Sequence, residues 1–414
     1  MKILKSKQSF LIYGTGQVFN LIGPIIILPY IINKCGLEGL GKISLGMSVA
    51  FFLILIVDYS YEIKGIKYIS QNRLYTKRIK KYFATAIFNK LLLFTVSASL
   101  FLGISFYSKF LCAERLLFLF SLAPVFSQAF NPAWFLQALE KYTSFAAINL
   151  LSKAIYLISV LILINSKEDY IYVNLILGCS SFFVNIVFLA VIIKKYRIRF
   201  NDISFNQSKI VLKNDFPLCV SQLLLSVKQQ APIFLSGYIL NYNIAGQFKV
   251  IEQIYSLFRS GIQLYLRYFY SKLCFLIKQE KHAGVNFWKK YSLFLKLMIL
   301  AGITFIYFNS EFILTFLNVN YKQNGTILTN FKISLLISFL FSLNLPLEQA
   351  MFAYNKNKEY IIVVLIVTVT NVLLSYFLIT RLEILGVIFA IIITELMQTI
   401  AYKYILRNEI NSIL

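Results

Sequence analysis

Residues 10–32 read FLIYGTGQVFNLIGPIIILPYII, a stretch without charge that is long enough as a helix to cross the hydrocarbon core of a bilayer. Gln17, Asn20, Pro24 and Pro29 interrupt it. Polar side chains and prolines at bilayer depth are tolerated where a helix faces other protein or a water-filled cavity, so this span reads as a cavity wall rather than a lipid anchor. A two-glycine break follows (Cys35-Gly36-Leu37-Glu38-Gly39), then a second apolar span ending in Asp58-Tyr59-Ser60-Tyr61-Glu62 and a basic run through Lys81. The pair is a membrane hairpin. A similar hairpin near Pro217–Arg267 is expected to supply the facing wall.

The same signal recurs along the chain. About twelve apolar spans are expected, near 10–32, 43–63, 83–106, 116–138, 145–165, 171–193, 216–240, 244–270, 290–309, 331–353, 360–380 and 384–405. Composition agrees, with 58% of the 414 residues hydrophobic and 14% charged, against about half and a quarter in soluble domains. The formal charge of +24 lies in lysine-rich loops between apolar runs, which fits cytoplasmic loops against anionic lipid and argues against nucleic acid as a partner. Lysine and arginine concentrate at residues 2–7, 64–81, 194–213, 272–290, 356–358 and 407, on one side of the expected bundle, so both termini are expected in the cytoplasm. The basic N-terminus precedes an apolar run too long for a signal peptide and without a small-residue cleavage site, so it reads as a retained first helix. Five cysteines without CxxC spacing and a lone His282 in a lysine-rich loop predict neither disulfides nor metal, and no cofactor motif is present.

The chain also looks doubled. Gly41-Lys42-Ile43 and Gly246-Gln247-Phe248 open spans two and eight, 205 residues apart. Asn131-Pro132 with Gln137-Ala138 is echoed by Asn344, Pro346 and Gln349-Ala350, and Gly178 by Gly386, 208 residues on. Three echoes at nearly half the chain length predict an all-α polytopic protein of two six-helix lobes, 1–193 and 216–414, joined by a cytoplasmic linker at 194–215.

An ionisable side chain at a helix centre costs about 2.5–3.5 kcal/mol on insertion, so each needs a reason. Span seven carries Gln222, Lys228, Gln229 and Gln230 between Pro217 and Pro232. In span eight Glu252, Arg259 and Gln263 share a helix face, while Lys249 and Glu252 are three apart and positioned to pair. Lys228 and Arg259 have no acid at local spacing and are the candidates for binding an anion, with Lys249, Asn20, Gln17, Gln222 and Gln229 as the polar wall. Pairing across helices, or snorkelling to an interface, is the plainer account of such cations. Snorkelling also accounts for Lys90, Lys153, Lys296 and Lys332. Asp58, Glu62 and Glu252 are the candidate proton-coupling or gating acids; the plainer reading has Asp58 and Glu62 pairing with Lys64 or Lys67 at the basic loop. Glu348 and Glu395 are the other in-span acids. No nucleophile–base pair, phosphate loop, HExxH site or large extramembrane loop is present, so an enzyme is not expected.

The motifs resemble one family. Pro29 with Gly36-Leu37-Glu38-Gly39-Leu40-Gly41, Asp58-Tyr59-Ser60-Tyr61 with Gly65 and Lys67, and above all Asn131-Pro132-Ala133-Trp134-Phe135-Leu136-Gln137-Ala138-Leu139-Glu140-Lys141 are similar to segments of the bacterial polysaccharide transporters, the O-antigen or repeat-unit flippases of the MATE-like lipid-flippase superfamily. Ser60 and Ala138 stand where glycine is usual in that family, and Leu40 where an aromatic is. The resemblance implies a MATE-like fold in the bacterial inner membrane. It also implies transport of an undecaprenyl-pyrophosphate-linked oligosaccharide from the cytoplasmic to the periplasmic leaflet, by alternating access around a cationic central cavity. Membrane lipids and other polysaccharide-assembly proteins would be its partners, and lipopolysaccharide or another glycan the end product. The alternatives are a cation-coupled small-molecule exporter of the same superfamily and, more remotely, a membrane-embedded glycan polymerase or glycosyltransferase.

Overall fold

The computed structural model describes residues 2–322 and 325–411, without the side chains of 2–22, 24, 271, 278, 281, 325 and 408–411. No strand occurs among the described residues. The helices are α1 (Lys2–Asp58), α2 (Ile66–Gln71), α3 (Thr76–Tyr107), α4 (Lys109–Ala113), α5 (Arg115–Phe120), α6 (Leu122–Ala129), α7 (Ala133–Ala138), α8 (Tyr142–Leu163) and α9 (Tyr170–Tyr196). They continue with α10 (Phe205–Leu235), α11 (Tyr242–Gln279), α12 (Lys281–Phe308), α13 (Ser310–Phe316), α14 (Gly325–Ala353) and α15 (Asn357–Asn411).

The expected first hairpin is a single helical element, α1, broken where Gly36 adopts φ 74°. Glycine reaches that left-handed conformation without steric cost. The last two expected spans are likewise one element, α15, broken at Glu383 (φ 49°). Among the described residues nine helical stretches are long and apolar enough to cross a membrane, two of them containing these breaks. The polar helix α11 falls outside that set. The expected fourth span is not one helix: the chain breaks at Ser121 and again at Phe130–Pro132. There the Asn131 side-chain oxygen accepts from the Ala133 amide (2.9 Å), an Asx turn that carries the chain past Pro132, which has no N–H to give.

Contacts divide the chain into two units, Met1–Ser226 and Val227–Leu414. The boundary falls inside α10, beyond the basic segment 194–215. That segment is no loose tether, because its second half is helical and bound to the first unit. Tyr59 Oη donates to the Leu212 carbonyl, Ser60 Oγ to Asp215 (2.6 Å), and Ser208 Oγ to Asn89 (2.5 Å). Within the first unit α1 packs on α3, α6, α8 and α9. Its core gathers Tyr61, Tyr82, Phe83, Trp134 and Phe135. Within the second unit α14 packs on α11, α12 and α15.

The glycine echo has a physical meaning. A Cβ on Gly178 would lie 2.3 Å from the Ala123 backbone, and one on Gly386 2.3 Å from the Leu378 carbonyl. Both places bring backbones too close for a side chain, but the partners differ: Gly178 meets α6, as small residues permit in membrane helix packing, whereas Gly386 meets Leu378 across the Glu383 break of its own element.

Candidate functional site

The face of α11 foreseen from residue spacing lines a hollow of about 230 Å³ in the second unit, through Glu252, Tyr255, Ser256, Arg259, Ser260 and Gln263. Lys228, Gln229 and Pro232 of α10, Phe341 of α14, and Asn371, Ile391 and Glu395 of α15 close it. It is large enough for a charged head group and too small for an oligosaccharide.

The charges in the hollow are balanced, two cations (Lys228 and Arg259) facing two carboxylates (Glu252 and Glu395). Lys228 does have an acid, Glu395, far away in sequence: their side chains form an ion pair at 2.7 Å, and Lys228 also donates to Gln398. Asn344 donates to the other Glu395 oxygen (2.6 Å). Lys249 pairs with Glu252 at 2.6 Å, the local pairing its spacing suggested. Arg259 differs: among the described residues it makes no ion pair, and its guanidinium sits over the Phe341 ring at 5.4 Å. Glu348 and Glu395 lie within its electrostatic reach. A guanidinium held by a ring face through its charge still has N–H groups to offer an anion. Asn371 also lines the hollow, and among the described residues its buried side-chain oxygen has no hydrogen-bond partner.

Gln222 is half-buried outside the lining set, and the side chains of Gln17 and Asn20 lie outside the described residues. Tyr255 reaches the hollow and packs edge-on against Phe341 (6.2 Å), whereas Tyr265 is stacked among Phe269, Tyr291 and Phe294. Sequence reasoning noted Glu395 without giving it a role. Phe341, Asn371 and Gln398 carried no signal at all, since an aromatic or amide in an apolar run is unremarkable until its neighbours are known.

The acids of the first unit also depart from expectation. Asp58 is buried and pairs neither with Lys64 nor with Lys67; it accepts from Lys90 (2.7 Å) and Gln128 (2.6 Å). Lys90 does not snorkel, because its side chain is 0% exposed. Gln128 in turn accepts from Asn131 (3.1 Å). Lys64 pairs with Asp215 (2.6 Å), and Glu62 is exposed. Two of the three resemblance-bearing segments thus come together: Asp58 reaches Asn131 through Gln128, Tyr61 accepts from Asn89 (2.8 Å), and Trp134 covers Tyr61 and abuts Gly65. Among the described residues no cluster of three or more metal-ligating side chains occurs.

The fold is that of the MATE-type membrane transporters. The chain superimposes on an inward-facing multidrug resistance MATE family transporter of the MOP superfamily with a TM-score of 0.72, at 13% identity over 97% of this chain and 98% of that one. It superimposes on the lipid II flippase MurJ, in an inward closed conformation, with a TM-score of 0.58, at 13% identity over 91% and 89%. Sequence narrows the class: residues 6–267 match the polysaccharide biosynthesis protein family, and the chain belongs to it as a multi-pass membrane protein. An Escherichia coli (strain K12) protein called "Putative O-antigen transporter" is 20% identical over 412 residues, 98% of each chain. A protein of the same description from Shigella dysenteriae is 25% identical over 259 residues, 59% of this chain and 62% of that one.

Proposed function

We propose that this protein is a flippase carrying an undecaprenyl-pyrophosphate-linked oligosaccharide repeat unit, an O-antigen unit, from the cytoplasmic to the periplasmic leaflet of the bacterial inner membrane. In this reading about twelve spans form two six-helix lobes with both termini in the cytoplasm, and rocking of the lobes alternates access to the site. Membrane lipids and polysaccharide-assembly proteins are its surroundings. No covalent chemistry is asked of it.

The observation that carries the reading is Arg259, a half-buried cation of α11 held over Phe341 beside the hollow and without a carboxylate in ion-pair contact among the described residues. A diphosphate head group is the kind of anion a guanidinium fork binds in two-point fashion. Lys228 joins as a second contact only when an anion displaces Glu395. The hollow does not hold the sugars, so the glycan must ride in space that opens during the cycle.

Complementation tests the reading. In a strain lacking the chromosomal copy, Arg259→Ala should lower surface polysaccharide about tenfold or more, the factor that 1.4 kcal/mol of lost head-group binding would give if binding limits transport, at unchanged membrane insertion. Arg259→Lys should recover part of it. Wild-type polysaccharide levels in Arg259→Ala would remove the anion site. The second reading, a cation-coupled exporter, is favoured by the carboxylates Glu252 and Glu395 lining the same hollow. It would be marked by drug resistance on overexpression with no change in surface glycan.

A further inference from the structure

The basic end of α10 carries a second feature that the hollow does not use. Phe205, Lys209, Lys213 and Phe216 follow one another at helical spacing along one open face of α10, beside Ser208 and Leu212. Phe205 is 71% and Phe216 60% exposed, and both lysines are exposed. The helix is pinned to the rest of the first unit through Ser208, the Leu212 carbonyl and Asp215, so the row is displayed on a fixed support. The neighbouring acids are engaged elsewhere: Asp202 accepts from the Arg199 amide (2.7 Å), and Asp215 is held by Ser60 and Lys64. Among the described residues neither Lys209 nor Lys213 makes an ion pair.

The row has a definite chemical order. Two cations one turn apart, roughly 6 Å between Cβ atoms, are flanked by an exposed aromatic on each side, and the whole row spans about 16 Å. We propose that it is a loading site for a polyisoprenyl diphosphate lipid, with Lys209 and Lys213 each meeting one phosphate of the diphosphate. Phe216, nearer the apolar middle of α10, lies along the first isoprene units. Phe205, at the polar end, lies against the group attached to the far phosphate. A phospholipid head group offers a single phosphodiester to two lysines, and a soluble diphosphate leaves both phenylalanines unused. The proposal rests on the flippase reading for its lipid but concerns a site distinct from the Arg259 hollow.

Binding of geranylgeranyl diphosphate to the purified full-length protein in phosphatidylcholine nanodiscs tests it. The wild type should bind, and K209Q/K213Q should bind about tenfold or more weakly, about 1.4 kcal/mol. Phe216→Ala should lose several-fold, K209R/K213R should be restored, and K194Q/K195Q, exposed lysines at the end of α9, should match the wild type. Equal melting temperatures of the variants would exclude a folding effect. Wild-type affinity in K209Q/K213Q would overturn the site and leave the flippase reading standing. Competition by inorganic pyrophosphate as strong as by the lipid, or loss of binding when phosphatidylglycerol is added to the nanodisc, would reduce the row to a general anion contact and overturn it too. Absence of binding by the wild type would defeat both readings together.

Discussion

Lys90→Met removes the cation from a pair that has almost no contact with solvent, Lys90 at 0% and Asp58 at 8% side-chain exposure, 2.7 Å apart. Asp58 keeps the Gln128 amide at 2.6 Å but loses the neutralising charge. Removing one partner of a buried ion pair costs about 3–5 kcal/mol, whereas replacing both partners by neutral groups of similar shape is close to neutral. A unit of about this size loses roughly 2–4 °C per kcal/mol, so Lys90→Met should lower the apparent melting temperature by about 6–20 °C. The double variant Asp58→Asn/Lys90→Met keeps an acceptor for Gln128 and buries no charge, so it should recover most of that loss. The assay is stepwise heating of detergent-solubilised protein, reading the monodisperse fraction by size-exclusion chromatography at a fixed heating time, because membrane proteins commonly unfold irreversibly. A melting point for Lys90→Met within about 2 °C of the wild type, or a double variant that falls by the sum of the two single losses, would refute the claim that this pair is a mutually dependent structural unit.

Other perturbations bear on separate parts of the fold. Gly178→Ala and Gly386→Ala each drive a methyl into backbone at 2.3 Å and should cost about 1–3 kcal/mol in the same heating assay, while Gly103→Ala, with nothing within 4 Å, should be neutral or slightly stabilising. Glu395→Gln strips Lys228 of its carboxylate beside the hollow. Its loss of stability should be smaller than that of Lys90→Met, at most about 3 kcal/mol, and Lys228→Met/Glu395→Gln should melt closer to the wild type than Glu395→Gln alone.

The features legible in the sequence were those governed by local rules. The break at Gly36, the cavity-lining face Glu252–Arg259–Gln263 and the Lys249–Glu252 pair all follow from helical spacing and glycine's conformational range. The pairings that decide the electrostatics were beyond those rules. Asp58 reaches Lys90 on α3, and Lys228 on α10 reaches Glu395 near the end of α15, so neither shows a local motif. The second half of the expected linker is likewise helix bound to the first unit, because Asp215 and Ser208 find partners on α1 and α3 that spacing along α10 cannot reveal.

The cost of charge in a membrane interior nonetheless constrains these long-range pairings. Each deep acid, at about 2.5–3.5 kcal/mol unpaired, demands a cation or a strong donor somewhere in the bundle, and the acids at issue are Asp58, Glu252, Glu348 and Glu395. Lys90, Lys249 and Lys228 answer three of them. Glu348 instead accepts from Tyr360 Oη at 3.2 Å, with Arg259 within electrostatic reach but outside ion-pair contact. Arg259 is thus the cation whose natural carboxylate has been satisfied by a phenol, and this leaves its guanidinium over Phe341 available to an arriving anion. An anion at Arg259 competes with Glu348 only through space, whereas one at Lys228 must first separate a 2.7 Å pair. The first contact with a diphosphate is therefore expected at Arg259, with Lys228 engaged second, when Glu395 can be held by Asn344 alone.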